Sequence, residues 1–212
     1  MELLNLKDMS RIILIMADTV IQNEVPFCEL DSVAGDGDFG MSLSKGFRQL
    51  KLDWPDDTGC DIGRFLLDCG KVITEFCGGA SGPIWGSAFR AAGKYAQGRE
   101  TLDVQQVGEL LQEAITGITK RGGAKAGDKT LLDALIPAAD SMVESGAKGC
   151  SLPHAFADAA QAAVQGAERT KSMVASRGRA SYVGERSLNY PDAGATAIGI
   201  LFTEIAKGFA VS

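Results

Sequence analysis

The chain has 212 residues, 45% hydrophobic and 23% charged, with a formal net charge of −6. That length suits one domain with a proper core, over 1–212. The acidic balance, with a pI of about 4.9, argues against a nucleic-acid-binding surface, which needs clustered Lys and Arg. Phosphate ligands stay open, because a bound metal or a few local cations can serve them. No stretch reads as a membrane span. The apolar run Ile12 to Met16 is too short for a secretory leader and lacks its basic head. The five cysteines, Cys28, Cys60, Cys69, Cys77 and Cys150, are odd in number and lack CxxC spacing. They read as reduced, buried thiols of a cytoplasmic protein.

Helical periodicity runs through the chain. Met9, Ile12, Ile13, Met16 and Val20 trace a first helix face, and a shorter helix is expected from Met41. Ile62, Phe65, Leu66, Cys69, Val72, Ile73 and Phe76 form one stripe. A small-residue helix follows from about Ser81, with Pro83 in its first turn. Thr101 and Asp103 are cap candidates for a helix carrying Val104, Val107, Leu110, Leu111, Ala114, Ile115 and Ile118. "TLLDALIPAADSMVES" is helical, with Pro137 expected to kink or break it. An Ala-rich helix follows Leu152, and Ala195, Ile198, Leu201, Phe202, Ile205 and Phe209 mark the last. Alternating β-type runs are missing. The reading is all-α, about eight antiparallel helices and no sheet.

Four loops hold what the helices lack: "DSVAGDGDFGMS" (31–42), "CGGASGP" (77–83), "RGGAKAGDKTLLD" (121–133) and "SRGRASYVGERSLNYPDAGAT" (176–196). They follow alternate helices, so an up-down bundle gathers them at one end, where they would build a site. Asp31, Asp36 and Asp38 suit a hard cation, although on local sequence alone a solvated Asx-type turn is the commoner reading. "CGGASGP" is either an anion-binding helix start or a close-packed turn. Asp128 is an N-cap candidate, with Thr130 just inside its helix, and Asp192 is another. Arg177, Arg179 and Arg186 can neutralise phosphate or make loop salt bridges. His154, the lone histidine, reads as a surface or cap residue, and no nucleophilic triad is suggested.

Taken together, "GDGDFG" with Asp31, "GGASGPIWG", "GDKTLLD", "GRASYVGERS" and "PDAGAT" resemble, in this order, the nucleotide-binding L subunit or L domain of dihydroxyacetone kinases. The likeness covers nearly the whole chain and is closest to the stand-alone L subunit of the phosphotransferase-type enzyme. It implies a closed, barrel-like bundle of eight antiparallel helices, with ADP or ATP and two Mg²⁺ at one end. By position, Asp31, Asp36 and Asp38 match the Mg²⁺ ligands and, with Arg179, the catalytic set. Phe39, Gly40, Met41, Ser42, Ala80, Ser81, Gly122, Leu131, Arg179, Asp192, Ala193 and Gly194 match nucleotide contacts. The resemblance also implies a separate K subunit that holds dihydroxyacetone through a histidine. An M subunit would rephosphorylate bound ADP in place, with phosphoenolpyruvate as ultimate donor, and an L homodimer is compatible.

Two positions depart from the family pattern. Phe39 stands where close bacterial relatives have His, and Ala193 replaces the proline of "DPG". Two other functions are compatible with the sequence: an ATP-dependent kinase subunit for dihydroxyacetone or another small ketose, and a nucleotide-loaded regulatory binding protein.

Overall fold

Residues with apolar side chains three and four apart become the inner faces of helices, and capping residues set where those helices start. The computed structural model describes residues 3–55 and 58–210; positions 1, 2, 56, 57, 211 and 212 of the expected domain lie outside it. In order the elements are β1 (Leu4–Asn5), α1 (Leu6–Gln22), α2 (Glu24–Ser32), α3 (Phe39–Leu52), α4 (Ile62–Phe76), α5 (Ser81–Tyr95), β2 (Thr101–Leu102), α6 (Val104–Gly122), α7 (Leu132–Ala147), α8 (Leu152–Arg169) and α9 (Ala193–Ala210). Between α8 and α9 lie two 3-10 segments, Thr170–Ser172 and Arg179–Ser187.

Each of α3 to α9 packs on the next, and α1 lies between α9 and α3, closing a ring. Among the described residues eight α-helices therefore make the expected barrel-like bundle, and α2 is a short ninth, packed mainly on α3, that the sequence reading does not include. Its only buried residue is Phe27, so it carries no apolar stripe to read. All six apolar residues expected on the inner face of α9 are buried. The core fills the ring with Phe47, Phe65, Leu66, Trp85, Phe89, Met142, Phe156 and Phe202 among others. Small residues let the helices close up: a side chain at Gly63 would meet Gln97 N at 2.4 Å, across the α4–α5 contact.

Three expectations are corrected, and at Pro137 one of the two expected outcomes, a break, does not occur. A two-residue antiparallel pairing, Leu4 with Leu102 and Asn5 with Thr101, replaces the absence of any sheet. Thr101 lies in that pairing, and Asp103 alone caps α6, in a capping box with Gln106. Helix α7 runs on through Pro137 and does not break there. Leu131, not Asp128, is at its N-cap position, because the Asp128 carboxylate is turned away to Lys125 N and Ser176 Oγ. In addition, α9 is by length and composition apolar enough to cross a membrane, with a mean hydropathy of 1.2. Its apolar side chains line the barrel interior.

Candidate functional site

The α2–α3, α4–α5, α6–α7 and α8–α9 connections meet in one cleft at one end of the barrel. The helices α3, α5, α7 and α9 all begin there. A helix start carries roughly half a positive charge and free amide donors. At three of these starts the residue in the N-cap position (Asp38, Ala80 or Leu131) makes no side-chain capping bond. The dipoles of these starts point into the cleft, which favours phosphate, although at α7 Leu132 N already donates to Thr130 Oγ1 at 3.2 Å and at α5 Ser81 N donates to Gly78 O at 3.1 Å.

Facing them is the acid cluster. Asp31 closes the last turn of α2, Asp36 lies in the following turn and Asp38 precedes α3. One carboxylate oxygen from each lies within 4.8 Å of the others. Gly37, at φ +75°, donates its N–H to Asp31 Oδ2 at 2.9 Å. A side chain at Gly35 would lie 2.2 Å from Asp31 Oδ1, so only glycine lets this acid fold back. Three hard oxygen donors converging from one short segment fit a divalent cation of the Mg²⁺ kind. Arg179 pairs with Asp36, and its Nη1 lies 3.7 Å from Asp38.

The neighbouring loops are held to this cluster. Gly78 N donates to Ser42 O at 3.0 Å, seating the 77–80 turn on the first turn of α3. Asp192 accepts from Ala195 N at 2.7 Å and so caps α9 as expected. The residue is partly buried at the cleft edge. Burial, with the Asp133 charge adding, pushes its pKa up to about 6 against the Ala195 N–H. Asp128 is held below its ordinary range, chiefly by the Ser176 hydroxyl.

Of the residues named from sequence, Asp31, Asp36, Asp38, Phe39, Ser42, Ala80, Ser81, Leu131, Arg179, Asp192, Ala193 and Gly194 line the cleft. Gly40, Met41 and Gly122 do not. Gly40 is buried against α2, where an added side chain would meet Glu24 O at 2.0 Å. Met41 points outward. Phe39 also packs on Phe27, with ring centroids 5.9 Å apart, and so joins α2 to α3. His154 lies on the surface near Asp158, as expected. Lys129, Thr130 and Tyr190 also line the cleft and were not singled out as site residues. Nothing local marks Lys129, whose partners lie 41 to 61 residues away.

The DAK2 domain matches residues 33–207 of the sequence. The chain belongs to the DAK2 domain family. This DAK2 chain is 34% identical over 177 residues to the PEP-dependent dihydroxyacetone kinase, ADP-binding subunit DhaL of Escherichia coli, covering 84% of each. It is also 34% identical over 187 residues to the L-erythrulose 1-kinase of Mycolicibacterium smegmatis, covering 87% of this chain and 32% of that one. Among solved structures it resembles the dihydroxyacetone kinase from C. freundii in complex with AMP-PNP and Mg2+. There the TM-score is 0.71 and the identity 27%, over 94% of this chain and 33% of that one. The family read from the five sequence motifs is the one these likenesses give.

Proposed function

We propose that residues 1–212 form one nucleotide-binding unit, the ADP-binding subunit of a dihydroxyacetone kinase. The observation that carries this reading is the pairing, in one cleft, of three converging aspartates with the starts of four helices, whose dipoles point into it. Such a cleft accepts a metal and the phosphates that the metal bridges. The relatives supply the nucleotide, ADP, and the reaction, phosphoryl transfer to dihydroxyacetone.

Asp31, Asp36 and Asp38 would hold two Mg²⁺, which neutralise phosphate charge when bound. The hydroxyls of Ser42 and Ser81 bind and orient the phosphate oxygens, with the dipoles of α3 and α5 behind them. Arg179 adds positive charge beside them, on an arm that reaches over the acids. Leu131 and Phe39 present apolar surface to the base and exclude water. This chain holds the nucleotide; a K subunit holds the ketose, whose hydroxyl oxygen attacks the terminal phosphorus as the bond to the nucleotide breaks. With ADP retained, an M subunit returns the phosphoryl group to it, and the nucleotide then serves as a cofactor.

The test is to purify the chain without added nucleotide, dialyse it, denature it and chromatograph the supernatant. One ADP per chain supports the retained-cofactor form. A nucleotide-free chain that works with K and ATP supports direct ATP use. Binding of neither ADP nor ATP with Mg²⁺ would overturn the assignment. The similarity to an L-erythrulose 1-kinase favours one second reading, a different small ketose on the partner. Turnover of L-erythrulose against dihydroxyacetone by the reconstituted complex separates the two.

A further inference from the structure

The segment from Thr170 to Tyr190 leaves α8, passes over the cleft and returns to α9, carrying Arg177 and Arg179 on its outer part. Both of its limbs converge on one side chain. Lys129, only 3% exposed, donates from Nζ to Thr170 O at 2.7 Å and Met173 O at 3.2 Å on the outgoing limb. On the returning limb it donates to Ser187 O at 2.7 Å and Tyr190 O at 2.8 Å. An ammonium has three N–H bonds. Three short contacts use them, and the longer one to Met173 shares a donor.

Four main-chain carbonyls around one positive charge form the kind of coordination shell that binds a desolvated monovalent cation. Here the cation is attached to the protein. The backbone is arranged to deliver it: Lys129 sits at φ +60°, a conformation that residues with side chains rarely adopt. The preceding Asp128 grips the same arm further out, through Ser176 N and Oγ to its main-chain and side-chain oxygens. Arg177 Nε lies 3.5 Å from Asp128 Oδ2. Without the ammonium, four carbonyls would face one another in a buried space with no donor between them, so the two limbs would part.

We infer that Lys129 is a positioning residue whose ammonium fills a built-in monovalent-cation site and holds the Arg179 arm over the cleft. A small free cation, ammonium or potassium, can then replace it when the side chain is cut back. The consequence for nucleotide binding rests on the function proposed above; the consequence for the arm does not.

The experiment compares the wild-type chain with K129A and K129M. Limited trypsin digestion is followed by mass spectrometry at Lys171, Arg177, Arg179 and Arg186. Alongside it, the Kd for ADP with Mg²⁺ is measured. In K129A, cleavage in the arm is expected to rise about tenfold or more and the Kd to weaken by about tenfold. Ammonium or potassium chloride at about 0.1 M should restore both, and tetramethylammonium chloride at the same ionic strength should restore neither. K129M fills the space with an apolar stem, so it should lose protection and regain nothing with ammonium. Wild-type protection in either variant overturns the proposal. So does loss in K129A that is indifferent to the cation, which would make Lys129 a plain packing residue. Should K129A not fold, K129G, which suits the φ of +60° at this position, takes its place under the same criteria of rescue by ammonium or potassium. If the wild-type chain binds no nucleotide, the function assignment fails while the digestion still judges Lys129.

Discussion

The two ends of the barrel are built from the same helices and differ in how most of their N-termini are closed. At the far end α1, α4 and α6 begin with side chains that close them, and only α8, after Ser151, does not. Asn5 and Asp8 form one capping box and Asp103 and Gln106 another, while Asp61 accepts from Arg64 N at 2.7 Å and Gly98 N at 2.9 Å. At the cleft end α3, α5 and α7 begin with N-cap residues that make no such bond. A capped start satisfies its own amides and has nothing to offer a ligand. A start whose N-cap side chain makes no such bond gives up about 1 kcal/mol of helix stability and leaves its dipole open to a ligand, less so at α7, where Thr130 Oγ1 takes up Leu132 N. The contrast separates polar residues that hold the fold from polar residues that serve a ligand.

Four substitutions test that contrast. Asp36→Asn at the cleft end should cut phosphoryl transfer by the reconstituted complex by about 10²–10³-fold, as loss of one preorganised electrostatic group does. Its thermal melt in the absence of ligand should stay near wild type; retained Mg²⁺ affinity and turnover would remove Asp36 from the metal site. Arg179→Met should weaken ADP binding about ten- to a hundredfold, the range for a lost charge-assisted hydrogen bond, read by isothermal calorimetry.

Asp192→Asn addresses the exception, the one capped start at the cleft end. Because the folded state raises the Asp192 pKa to about 6, it binds a proton more tightly than the unfolded chain. The associated stability is complete below about pH 4 and is lost as pH rises through about 6. Asparagine keeps the capping oxygen and removes the charge. At pH 7 it should therefore stabilise the ligand-free chain by about 2 kcal/mol and flatten the fall in stability between pH 4 and 6. Urea unfolding at pH 4.5 and 7.5 measures both. Smallest is Asp103→Ala at the far end: a loss of about 1 kcal/mol in stability, with ADP affinity and turnover unchanged. A change in turnover there would break the division between the two ends.

The same contrast explains what could be read from the sequence. At the far end Asn5 bonds to Asp8 and Asp103 to Gln106, three residues away, so the pattern lies within one turn of chain. The helix faces of α4, α6 and α9 were legible for the same reason. At the cleft end the acids could be seen as a cluster but not as a site, because what decides between a cation and a solvated turn comes from other loops. Arg179 meets Asp36 across most of the chain. Lys129 is not marked by its local sequence, since a buried charge is recognised only from its partners. Gly40 was read as a nucleotide contact by position, and its closer constraint is the α2 backbone against it. Helix α2 escaped notice because one buried phenylalanine makes no period.

The ring closes where α1 slots between α9 and α3, and Arg11 Nη2 reaches Gly208 O at 2.6 Å across 197 residues. Every other seam joins helices that follow one another closely and can zip in order. This seam has to wait. Until α9 has been synthesised, the buried face of α1 (Met9, Ile12, Ile13 and Val20) lacks one of its two walls, and the barrel stands open along its length. Closing so long a loop is slow compared with local helix pairing. The nascent chain thus spends its synthesis as an incomplete cylinder with an apolar interior exposed to other proteins, and protection by chaperones matters most for this last step.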